Sequence, residues 1–111
     1  MPGSGGPALT TETSRAGQEV HVALRGELDL ATARVLHACL APIVQEQPAP
    51  ARVVLDVSAL SFVDASGISA LLTAQRGLAA RGGQVVLRKP SRLVRRVLKV
   101  LDLEQSLPVE G

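Results

Sequence analysis

Tryptophan and tyrosine are absent from this chain of 111 residues, and phenylalanine occurs once. Stacking of nucleobases or sugar rings on aromatic side chains is therefore not available as a recognition device. The core must be aliphatic, drawn from the Val, Leu, Ile and Ala that dominate an apolar fraction of 46%. There is one cysteine, Cys39, so an internal disulfide is excluded, which fits a reducing cytosol. Its neighbours Leu36, Ala38 and Leu40 suggest a buried, inert thiol. No apolar run approaches the roughly 20 residues of a membrane-spanning helix. The opening "MPGSGGPALT" has no basic segment leading into an apolar one, so no secretory signal is expected.

Catalytic machinery is also missing. A nucleophile needs a base, and the base needs a group to orient it. The two histidines, His21 and His37, have no partner suggested by spacing. "DASGI" is not the Gly-x-Ser-x-Gly elbow of hydrolases. Neither a phosphate-binding Gly-x-x-x-x-Gly-Lys loop nor a Cys/His metal spacing occurs. The expectation is a protein that is not an enzyme and that uses no cofactor and no metal.

What is present is alternating order. A chain of this length fits one domain. "QEVHVALR" at 18–25 places Val20, Val22 and Leu24 on one side of a half-buried strand, with Glu19, His21, Ala23 and Arg25 on the other. A weaker strand near Leu9–Ser14 precedes it, joined by a turn at Ala16-Gly17. "GELD" ends the strand, and Asp29 is a suitable N-cap for a helix from Leu30. That helix turns Val35, Leu36, Cys39, Leu40 and Ile43 to one side, and Pro42 should kink or end it near Leu40.

"RVVLDV" at 52–57 is nearly all apolar, the pattern of a central strand covered on both faces. Residues 66–81 form a second helix on Ile68, Leu71, Leu72 and Leu78, stopped at Gly82 or Gly83. A strand at 84–88 follows. Ser91 then caps a helix over 92–101, with Leu93, Val94, Val97, Leu98 and Leu101 inward and Arg92, Arg95, Arg96 and Lys99 outward. "DLEQSLPVEG" is a short terminal strand or tail. The order β-β-α-β-α-β-α-β specifies an α/β fold, with helices packed on a mixed, mostly parallel sheet.

Charge is unevenly spread. Between Ala65 and Leu101 there are eight Arg and Lys and no acid, a local charge of +8. The other four Arg stand against all ten acids, leaving −6 and a net charge of +2. The basic stretch 76–99 is either a solvated helix face or a contact for an anionic partner.

The most informative joint is "SFVDASGISALL" at 61–72, where an apolar run meets a helix start. Asp64, or alternatively Ser66, can cap the free amides there. Those amides and the helix dipole also favour an added phosphoryl group. "GELD", "VVLDVSALSFVDASGISALL" and "GGQVVL" before "RLVRRVLKVLDL" occur in an order that resembles the STAS domain of bacterial anti-sigma factor antagonists. The resemblance spans about residues 8–108, leaving 1–7 as a flexible leader and 109–111 as a tail.

It implies a cytoplasmic protein, monomeric or weakly dimeric, with no nucleic-acid partner and no direct membrane insertion. The partner it implies is an anti-sigma factor, a serine kinase of the GHKL type, whose capture releases a sigma factor and so regulates transcription. A phosphatase would reverse the kinase. The partner surface would comprise Glu27, Asp29, Asp64, Ala65, Ser66 and Gly67. The family's phosphoacceptor directly follows the Asp, and here that position is Ala65, which has no hydroxyl. Binding is then constitutive, or Ser66 takes over as acceptor. The alternative function is that of a cytoplasmic STAS subunit in an ABC-type lipid transport complex, a role that dispenses with the serine switch.

Overall fold

The computed structural model describes residues 8–111; the leader expected over 1–7 lies outside the described residues. Two antiparallel strands, β1 (Leu9–Ala16) and β2 (Glu19–Leu28), open the chain. Then follow α1 (Ala33–Val44), β3 (Arg52–Val63), α2 (Ala65–Ala79), β4 (Gln84–Arg88), α3 (Arg92–Val100) and β5 (Val109–Glu110). The sheet order is β1-β2-β3-β4-β5, with β2 through β5 parallel. The terminal segment thus joins the sheet, because Leu87 pairs with Val109 and Arg88 with Glu110.

Right-handed crossovers between successive neighbouring parallel strands put every helix on the same side. The buried core agrees. One apolar cluster joins Val20, Val22 and Leu24 of β2 to Val53, Leu55 and Val57 of β3 and Val85 and Leu87 of β4. Leu36, Leu40 and Ile43 of α1, Ile68, Leu71 and Leu78 of α2, and Val94 and Leu98 of α3 complete it. Val54 and Val86 are buried but lie outside that cluster, in the row that includes His21. Helices therefore cover one face of β3 rather than both; on the other face Val54 stands between His21 of β2 and Val86 of β4.

Four further differences from the sequence expectations have local causes. First, α1 starts at Ala33, not Leu30, because Asp29 caps a separate turn first: the amides of Thr32 and Ala33 both reach the Asp29 carbonyl, at 3.2 and 2.8 Å. Second, Pro42 neither ends nor displaces α1, which runs on to Val44. Ala38, whose carbonyl loses its donor to the proline, lies on the exposed side, where water can replace the missing N–H.

Third, β3 continues six residues past Val57, pairing Ala59–Val63 with Arg25–Leu28 through two register shifts. Those bulges break the alternation that would have revealed the extension. Fourth, Leu93 and Leu101 stay exposed at 40% and 46%, since α3 inserts only Val94 and Leu98 into the core. Cys39 is half-buried, packed against the core without being enclosed by it. His21 has a neighbour after all: Glu19, two residues away on the same strand face, at 3.0 Å.

Candidate functional site

The ends of β2 and β3 lie side by side, and both loops that leave them are held rigidly. In the ladder Glu27 faces Phe62 and Leu28 faces Val63. The Asp64 amide then donates to the Leu28 carbonyl at 3.1 Å. This brings "GELD" and "DASG", far apart in sequence, together at one end of the sheet, where β2 and β3 stop.

Asp64 has extended backbone angles, as an N-cap should, and its Oδ1 accepts from the Gly67 amide at 3.0 Å. Of the two candidates for the cap it is Asp64 that serves. Gly67 is buried against β2: a Cβ there would sit 2.6 Å from Leu28 Cγ and 2.7 Å from the Leu28 carbonyl oxygen. The glycine thus lets α2 begin in contact with the β2 backbone. Ala65 is the first residue of α2 and is exposed; Ser66, next to it, is half-buried. Glu27 is exposed and Asp29 half-buried.

Two kinds of residue at this end of the sheet escaped the sequence reading. The first is Thr32, the one buried polar side chain among the described residues, at 2% exposure. Its Oγ1 donates to the Glu27 carbonyl at 2.8 Å and accepts from the Asp29 amide at 2.9 Å. Asp29 Oδ1 in turn accepts from the Thr32 amide at 3.0 Å. The pair forms a reciprocal box that fixes the loop, and the spacing Asp-x-x-Thr was the available signal. Thr32→Val keeps the shape and deletes the hydroxyl, leaving a donor and an acceptor unpartnered. A loss of about 1–3 kcal/mol is expected. Urea unfolding measures it; an unchanged midpoint would show that the box contributes nothing.

The second kind is apolar and exposed. Leu30 is 78% exposed and Phe62, the sole aromatic residue, 44%. Both belong to the segments just described, with Glu27, Asp29 and Asp64 nearby in the chain. Exposed large apolar groups among carboxylates are a feature of protein-docking surfaces. Among the described residues no group of three or more His, Cys, Asp or Glu could hold a metal ion. No helix among them is long and apolar enough to cross a membrane.

Comparison with known proteins agrees with this architecture. The Bacillus anti-sigma factor antagonist SpoIIAA, in its unphosphorylated form, is 26% identical, with 92% of this chain and 89% of that chain covered and a TM-score of 0.77. An anti-sigma factor antagonist from Mycobacterium paratuberculosis shares the fold at 23% identity, with 96% of this chain and 89% of that chain covered and a TM-score of 0.82. A sulfate transporter family protein from Wolinella succinogenes also shares it, at 20% identity, with 83% of this chain and 75% of that chain covered and a TM-score of 0.71. No curated protein matches the sequence significantly. The family model described as "Mlab, STAS domain" matches residues 11–109. With its five-stranded mixed sheet and three helices, the chain belongs to the STAS domain family.

Proposed function

We propose that this domain is an anti-sigma factor antagonist that acts by binding and not by catalysis. It captures a GHKL-type anti-sigma factor kinase in the cytoplasm and so frees a sigma factor. The observation that carries this reading is the single edge made by "GELDL" and "FVDASG". Rigid loops there present Leu30 and Phe62 together with Glu27, Asp64, Ala65 and Ser66. The likeness to SpoIIAA supports it.

Ala65 occupies the exposed first position of α2, where the family's acceptor hydroxyl belongs, while Ser66 is half-buried. The geometry favours constitutive binding over a switch moved to Ser66, and a phosphatase then has no substrate on this chain. Ala65→Ser is expected to create an acceptor. Incubating both proteins with the cognate kinase and ATP, then mapping sites by mass spectrometry, tests this. Phosphate should appear on residue 65 of the variant only. An unmodified variant, with the kinase active on another substrate, overturns the acceptor assignment; phosphate on Ser66 of the wild type overturns constitutive binding.

A second reading, a STAS subunit of an ABC-type lipid transport complex, is favoured by the same Ala65, which removes the serine switch. Co-purification separates the two: recovery of a kinase supports the first and recovery of an ABC ATPase the second.

A further inference from the structure

We propose that the outer face of α3 docks an acidic, partly apolar segment of a partner protein. Arg92 lies three and four residues before Arg95 and Arg96, which lie four and three before Lys99, and all four are exposed. With Glu104 and Val109 they line a groove of about 570 Å³. Not one of these four cations is in an ion pair among the described residues. Three other bases in the chain are engaged. Arg15 pairs with Glu46, and Arg52 pairs with Glu19 and Glu110. Arg81 donates to the carbonyls of Val44 and Glu46 at the end of α1, at 2.5 and 2.8 Å. Of the positive charge of residues 76–99, Arg81 is structural; Arg76, Arg88 and Lys89 also stand outside the ion pairs among the described residues, and α3 alone gathers four such cations on one helix.

Like charges at these spacings repel along a helix. Carboxylates from outside would relieve that repulsion, and the groove is the place to receive them. The surroundings specify the class of partner. Val109, which lines the groove, is 37% exposed, and Val100, one turn after Arg96 on α3, is 75% exposed, so apolar contact accompanies the charge. That combination suits a polypeptide with both carboxylates and aliphatic side chains. A concave groove fits a chain segment better than a flat bilayer. No aromatic side chain is in the groove for bases to stack on, which disfavours single-stranded nucleic acid. None of these residues belongs to the edge at Asp64, so the two surfaces can be tested separately.

The test uses the full chain and a fluorescein-labelled peptide of alternating glutamate and leucine pairs, read by fluorescence anisotropy. Parallel titrations use phosphatidylserine vesicles and a 20-base-pair DNA duplex. The peptide is expected to bind at least tenfold more tightly than either, and more weakly as salt rises. Arg92→Glu with Arg96→Glu should weaken peptide binding at least tenfold while circular dichroism stays unchanged. Arg25→Glu, an exposed cation on β2, controls for net charge and should leave binding within twofold. Absence of peptide binding, an unaffected double variant, or an equal loss in Arg25→Glu overturns the proposal. Tighter binding to the vesicles or the duplex overturns it in favour of that surface.

Discussion

Gly26→Ala is expected to be among the most damaging single substitutions in this domain, costing about 3–5 kcal/mol. Two effects combine. Gly26 has φ +113°, a backbone region that side chains rarely adopt. Such strain costs about 1–3 kcal/mol. A Cβ at Gly26 would also lie 2.0 Å from the Ala8 carbonyl oxygen, which accepts from the Glu27 amide at 2.6 Å. Backbone must move to relieve that contact, and overpacking of this sort adds about 1–3 kcal/mol. A small domain has only about 5–15 kcal/mol of stability in total, so the melting temperature should fall by about 12 °C or more, taking about 4–8 °C per kcal/mol. Gly82→Ala is the matched control: φ is +87°, yet nothing lies within 4 Å of the added Cβ. It should show only the conformational cost. Equal melting temperatures for the two variants would show that the close approach of Ala8 is unimportant.

The same glycine marks a limit of sequence reading. "GELD" is legible as a strand end followed by a helix cap, but Thr32 and not Asp29 is the N-cap of α1 in the structure. The structure delays the helix to Ala33 and carries β2 through the glycine to Leu28. The helix caps at Asp64 and Ser91 were legible, because a short polar side chain before a periodic apolar run has few other reasons to be there. The order of elements was legible for the same reason: the apolar period switches between two and about 3.6 residues at each junction.

What sequence could not show is which apolar residues remain uncovered. Leu93 and Leu101 share the helical stripe of Val94 and Leu98, but the core reaches only part of α3. Phe62 lies within the apolar run that stops at Asp64, yet past the second register shift of β3 it is 44% exposed. Burial depends on what the rest of the chain brings near, and the period of one segment does not contain that. Thr32 fails in the opposite direction: a polar residue whose burial is set by Asp29 and the Glu27 carbonyl.

Loss of the two exposed apolar groups at the edge proposed for docking is expected to abolish most partner affinity while sparing the fold. Leu30, at 78% exposure, contributes little to the core, so Leu30→Ala should shift stability by no more than about 0.5 kcal/mol. Phe62 is more enclosed and Phe62→Ala should cost somewhat more. In the complex the positions reverse. An aromatic or branched side chain buried at an interface centre is worth about 2 kcal/mol or more, and about 1.4 kcal/mol is tenfold in Kd. On the proposed function, each substitution should therefore weaken capture of the anti-sigma factor by about thirtyfold, read by calorimetric titration. Glu27→Gln, which removes an exposed charge at the same edge, should instead lower the association rate and its salt dependence, with a smaller change in Kd. If Leu30→Ala and Phe62→Ala together bind as the wild type does, the edge is not the docking surface. If Glu27→Gln alone has the large effect, recognition there is electrostatic and the apolar pair is incidental. The rigid box of Asp29 and Thr32 explains why the apolar contribution should dominate: a loop already fixed in the free protein loses little entropy on binding, so burial of Leu30 goes almost wholly into affinity.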